Sequence, residues 1–124
     1  MLKIIKKISR RNYRLLAVGY TIWLTAVSLT PLDGLDLPSF SYADKIVHFF
    51  LYFFLTLLWL LAYPKWWRKR IFFIILVLLW GIAIELIQEY FVPTRSGDVF
   101  DAIANTAGAL TGLLIFYSWI KTIV

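Results

Sequence analysis

Four long apolar stretches, 15–29, 46–63, 71–92 and 99–120, alternate with short polar or proline-containing junctions. A helix needs about 20 mostly apolar residues to cross a hydrocarbon core of roughly 30 Å. The last three stretches come to about that length. The first does so once Tyr13, Arg14 and Thr30 are included, with the Arg14 head reaching back to the interface. The junctions carry helix-stopping residues. Pro31 and the Pro/Asp/Gly run through Pro38 end the first stretch, and Pro64 ends the second, with Trp66 and Trp67 marking an interface. Residues 93–98 form a turn in which Ser96 or Asp98 can cap the last helix. The pattern predicts an all-α chain: a membrane-embedded bundle of four antiparallel transmembrane helices over 13–30, 45–63, 71–92 and 98–120, making a single domain over 1–124.

Composition agrees. With 61% hydrophobic residues, six Trp, seven Tyr and ten Phe in 124 positions, a soluble fold could not cover its apolar surface. The net charge of +6 changes the picture only through its placement. Lys3, Lys6, Lys7, Arg10, Arg11 and Arg14 precede the first stretch, and Lys65, Arg68, Lys69 and Arg70 precede the third. These residues read as positive-inside topology signals, and no nucleic-acid partner is expected. The rule puts the N-terminus, the 64–70 loop and Lys121 on the cytoplasmic side, with Lys45 and Arg95 outside and both termini cytoplasmic. A cleavable signal peptide ending near Ala26-Val27-Ser28 is the alternative for the first stretch, and its long apolar run argues for a span. Without cysteine, disulfides are excluded.

The acidic residues sit away from the basic junctions, at Asp33, Asp36, Asp44, Glu85, Glu89, Asp98 and Asp101. At about 1.5 Å per helical residue, His48 lies roughly 6 Å below Asp44, Asn105 roughly 10 Å below Asp98, and Glu85 at a similar depth. Asp44, His48 and Tyr52 share one helix face; so do Glu85, Gln88 and Glu89, and so do Asp98, Asp101 and Asn105. Carboxylates facing acyl chains cost several kcal/mol, so these faces should turn inward and meet in the outer part of the bundle. Simple interhelical fastening needs fewer titratable groups than this. Gly108 and Gly112, which continue the last of these faces, suit close helix packing. Arg95, alone among cations in its turn, is placed to pair with a neighbouring carboxylate.

The segments Asp44-Lys45-xx-His48-Phe49-xx-Tyr52, Glu85-xx-Gln88 and Arg95-xx-Asp98-xx-Asp101-xxx-Asn105-xx-Gly108-xxx-Gly112 resemble the VanZ-like family of small bacterial integral membrane proteins. The resemblance covers roughly the last two-thirds of the chain. It implies a multi-pass protein of the bacterial cytoplasmic (inner) membrane. Through the member that gives the family its name, it also implies a link to teicoplanin-type glycopeptide resistance. It assigns no catalytic roles.

Two functions stay open. In the first, Asp44, Lys45, His48, Tyr52, Glu85, Gln88, Arg95, Asp98, Asp101 and Asn105 line an outer-leaflet pocket for an anionic membrane lipid head group or a lipid-linked cell-wall precursor. Lys45 and Arg95 supply positive charge, and a divalent metal could bridge the acids. In the second, His48 with Asp44 or Glu85 performs acid–base chemistry on a lipid-linked phosphate, with or without such a metal. No zinc-protease, Ser-His-Asp or glycine-rich phosphate motif supports catalysis, and the first reading is preferred.

Overall fold

The computed structural model describes residues 2–31, 41–93 and 98–122, all helix and turn, with no strand among them. The elements are α1 (Leu2–Lys7), α2 (Arg10–Ser28), α3 (Ser41–Ala62), a 3₁₀ segment (Pro64–Lys69), α4 (Arg70–Phe91) and α5 (Val99–Ile115), which widens into a π-helical turn at Phe116–Ile120. Ser9 caps α2 by accepting from the Asn12 N–H, so that helix begins at Arg10, three residues before the expected 13. Pro64 ends α3 as expected, and the chain re-enters helix at Arg70.

Among the described residues, three segments are long and apolar enough to cross a membrane: Asp44–Ala62, Pro64–Phe91 and Val99–Ile120. The sequence pattern predicts four. The difference lies in α2, which opens with Arg10, Arg11 and Arg14, so that only 15–28 is free of charge. Large apolar side chains nevertheless cover the outside of the molecule, among them Leu15, Ile22, Phe54, Ile71, Leu79, Phe91, Val99 and Leu114. Such a continuous apolar exterior is stable only against lipid or another apolar surface.

Helix α3 forms the centre, packed most heavily on α5 and next on α2. Arg10 and Tyr20 of α2 meet Leu61 and Leu51 of α3, so the two helices run in opposite directions. Arg10 Nη1 donates to the Leu61 carbonyl at 2.7 Å, the Trp59 indole N–H donates to Thr21 Oγ1 at 3.0 Å, and the Tyr20 hydroxyl donates to the Leu51 carbonyl at 2.8 Å. On α4 the buried positions Ile74, Val77, Gly81, Ile84 and Gln88 step by three and four, one face of a helix turned inward. Helices α3 and α5 run in the same direction and touch through backbone. A Cβ on Gly108 would stand 2.0 Å from the Phe49 carbonyl oxygen, and one on Gly112 would stand 2.8 Å from that of Phe53. At the basic end, Trp59, Tyr63 and Trp66 stack under the Arg14 guanidinium, and Lys121 lies over Trp67 and Tyr117. Such belts form at a membrane–water boundary.

Candidate functional site

The glycine contact lays the first turns of α3 and α5 side by side, and the last turns of α4 end beside them. Asp44 and Asp101 occupy first turns, where the partial positive charge of a helix N-terminus favours carboxylates. Asp98 is the N-cap of α5, accepting from the Phe100 N–H at 2.8 Å. Glu85 reaches over from α4 and accepts the Asp98 backbone N–H through Oε2 at 3.1 Å. Periodicity puts each group on an inward face, and the close approach of α3 and α5 makes those faces meet.

Lys45 Nζ donates to Asp98 Oδ2 at 2.6 Å and to Asp101 Oδ1, and lies 3.7 Å from Asp44 Oδ2. His48 sits beneath. Its Nδ1 faces Asn105 Oδ1 at 3.1 Å; with that amide oxygen as acceptor, Nδ1 carries the proton. Its Nε2 then turns toward Asp44 Oδ1 at 3.6 Å and Asp101 Oδ2 at 3.7 Å. Glu85 Oε1 lies 4.0 Å from Nδ1 and is buried, with no hydrogen-bond partner among the described residues. Four carboxylates therefore surround one ammonium and one imidazole. Asp98, just outside the span Val99–Ile120, is held below the usual carboxylate range, first by the hydrogen bond from Lys45 and then by the Phe100 N–H. Asp44, His48 and Asp101 each offer a ligand atom within 4.8 Å of the others, a spacing open to a metal ion.

Seven of the sequence-predicted residues come together in this way: Asp44, Lys45, His48, Glu85, Asp98, Asp101 and Asn105. Two others stand apart. Gln88 shares the Glu85 face but lies one turn nearer the end of α4, where Nε2 donates to the Ser28 carbonyl at 2.6 Å and ties α4 to the last turn of α2. Tyr52 is buried one turn below His48, against Gly81 and near the Asn105 amide. Arg95 lies outside the described residues.

Two cavities open between α4 and α5. One of about 140 Å³ is lined by Tyr52, Gly81, Asn105 and Thr106 among others. Another of about 410 Å³ is lined by Glu85, Glu89, Asp98 and apolar side chains. Both include Ile82, Val99 and Ala102, so they form one furrow, acidic beside the charged cluster and mostly apolar away from it. Sequence reasoning missed Ile82, Val99 and Ala102. The sequence marks them only as apolar positions beside the polar faces; that they line a furrow depends on how far α4 and α5 diverge.

The arrangement defines a helical membrane protein with a charged cluster at one end of its bundle. The chain belongs to the VanZ/LLP1 family, whose model matches residues 3–121. It is also similar to an uncharacterized protein of the fission yeast Schizosaccharomyces pombe, C11E3.10, at 35% identity over 74 residues. That match covers 58% of this chain and 45% of the relative, so the chain spans under half of the relative's length. No solved structure matches.

Proposed function

We propose that this is a four-span, antiparallel, multi-pass protein of the cell-envelope membrane, with both termini cytoplasmic. Its outer polar cluster receives the phosphate-bearing head of an anionic lipid or lipid-linked carrier. The observation that carries the reading is the furrow between α4 and α5. An amphiphile entering from the bilayer would lay its chain on Ile82, Val99 and Ala102 and bring its head to Glu85 and Asp98. Four carboxylates would repel a bare phosphate, and Lys45 is already engaged by Asp98 and Asp101. The head therefore enters through a bridging divalent cation. The similarity to a fungal protein favours a lipid class shared beyond bacteria over a wall-specific precursor. A role in teicoplanin-type resistance would then be indirect, through the supply of envelope lipids.

A second reading, hydrolysis or transfer at a lipid-linked phosphate, draws support from the orientation of His48, whose Nδ1 faces Asn105 and leaves Nε2 as the face a general base would present. Release of phosphate from a polyprenyl phosphate by the purified protein, lost in His48→Gln, would favour it. For the binding reading, the test is mass spectrometry of lipids retained after mild detergent extraction. Wild type should enrich a phosphate-bearing lipid over its bulk abundance. Ala102→Phe, which fills the furrow, should retain several-fold less. Recovery that matches the bulk membrane in both proteins would overturn the proposal.

A further inference from the structure

Asp44, His48 and Asp101 each bring one ligand atom within 4.8 Å of the other two. The gaps of 3.6 and 3.7 Å from His48 Nε2 to the two carboxylates exceed the ordinary N–H···O range of about 2.7–3.2 Å. They match donors that share an ion: with bonds of about 2.0–2.2 Å and angles of about 110–120°, two ligand atoms stand roughly 3.3–3.8 Å apart.

Two further features agree. Asn105 Oδ1 stands 3.1 Å from Nδ1; with Nδ1–H given to it, Nε2 is the nitrogen left to face the carboxylates and offer a lone pair to an ion. A metal-ligating His is held in the same way, its other ring N–H given to an oxygen acceptor. Independently, Glu85, only 8% exposed, holds Oε1 without a hydrogen-bond partner among the described residues, 4.0 Å from the same imidazole. A carboxylate oxygen buried there makes sense beside a ring that has passed positive charge inward. Lys45 satisfies Asp101 Oδ1 and leaves Oδ2 for the ion.

The geometry points to a divalent transition-metal site in which His48 Nε2, Asp44 and Asp101 are the ligands and further coordination positions open on the side of Asp44. One imidazole with two carboxylates suits Zn²⁺ or Mn²⁺ better than Mg²⁺ or Ca²⁺, which favour oxygen alone. Asp44 is half-exposed, its side chain 52% accessible, so a ligand oxygen can reach the ion from that side. The part assigned to those open positions, capture of a phosphate oxygen, rests on the lipid reading above; the metal site itself does not.

The test uses full-length protein in detergent, freed of any affinity tag and stripped with EDTA. Zn²⁺ and Mn²⁺ are each titrated by calorimetry, followed by elemental analysis after desalting. One ion per chain is expected for wild type and for Lys65→Ala. His48→Gln should fall below detection. Asp44→Asn should bind at least tenfold more weakly, and because Asp44 is half-exposed this variant keeps the test valid if His48→Gln fails to fold. No retained ion in wild type, or equal affinity in Asp44→Asn, overturns the inference. Lipid retention measured on the same preparations separates the two proposals. Metal without lipid enrichment removes only the lipid reading; lipid without metal removes the metal site, and with it the bridging cation, and leaves the furrow alone as the lipid's seat.

Discussion

Lys45 holds the acid cluster together, because no other described cation lies among Asp44, Asp98 and Asp101. Its two short contacts join the start of α3 to the start of α5. Asp98 reports on that junction. With its carboxyl held below the ordinary range, the folded protein binds this proton less readily than the unfolded chain does. The stabilisation is therefore fully present above the unfolded value of about 3.9 and is lost as pH falls through the lower folded value. Wild type should melt above Asp98→Asn in detergent by a gap that is constant from neutral pH to about pH 5 and closes below about pH 4. A gap that persists undiminished at pH 3 would mean that Asp98 acts as a helix cap without the charge.

At the scale of elements, two glycines in the described helices give opposite expectations for one substitution. Gly19 on α2 has nothing within 4 Å of its missing Cβ, so Gly19→Ala should gain helix propensity, up to about 1 kcal/mol. Gly108→Ala gains the same propensity but drives a methyl to 2.0 Å from a backbone oxygen of α3, which cannot step aside as a side chain could. Overpacking of about 1–3 kcal/mol then wins, and unfolding in detergent should come earlier. Equal stability of the two variants would mean that α3 and α5 do not touch there. The Gly108–Gly112 face was legible in the sequence because helical spacing alone defines it. So was the inward turn of His48, Asp101 and Asn105, since helical spacing together with the expense of lipid-facing charge leaves one direction. Gln88 was not. Periodicity sets a residue's face but not which neighbour stands at its height, and one turn past Glu85 that neighbour is the Ser28 carbonyl of α2. The furrow was illegible for a similar reason, as it depends on how far α4 and α5 diverge above Gly81.

For the whole molecule, the open question is whether α2 crosses the bilayer beside the three apolar segments. By composition it falls short, yet its contacts follow α3 from Leu61 to Leu51 and reach α4 at Gln88. Arg10 meets Leu61 and Arg14 stacks on Tyr63 at the aromatic, basic end. At the other end the Ser28 carbonyl meets Gln88, close to the acid cluster. Nineteen residues at about 1.5 Å each give roughly 28 Å, close to the thickness of a hydrocarbon core. Arg10 and Arg14 do not oppose crossing, because they lie at the aromatic, basic end, where long side chains reach the head groups. The cysteine-free sequence makes the test direct. Single replacements Lys6→Cys, Ser39→Cys and Lys65→Cys would each be exposed to a membrane-impermeant maleimide on intact cells. Ser39→Cys should label from outside, while Lys6→Cys and Lys65→Cys should label only after permeabilisation. If Lys6→Cys and Ser39→Cys label on the same side, α2 does not span, and the cluster belongs to a three-span protein with its N-terminus opposite the 64–70 loop.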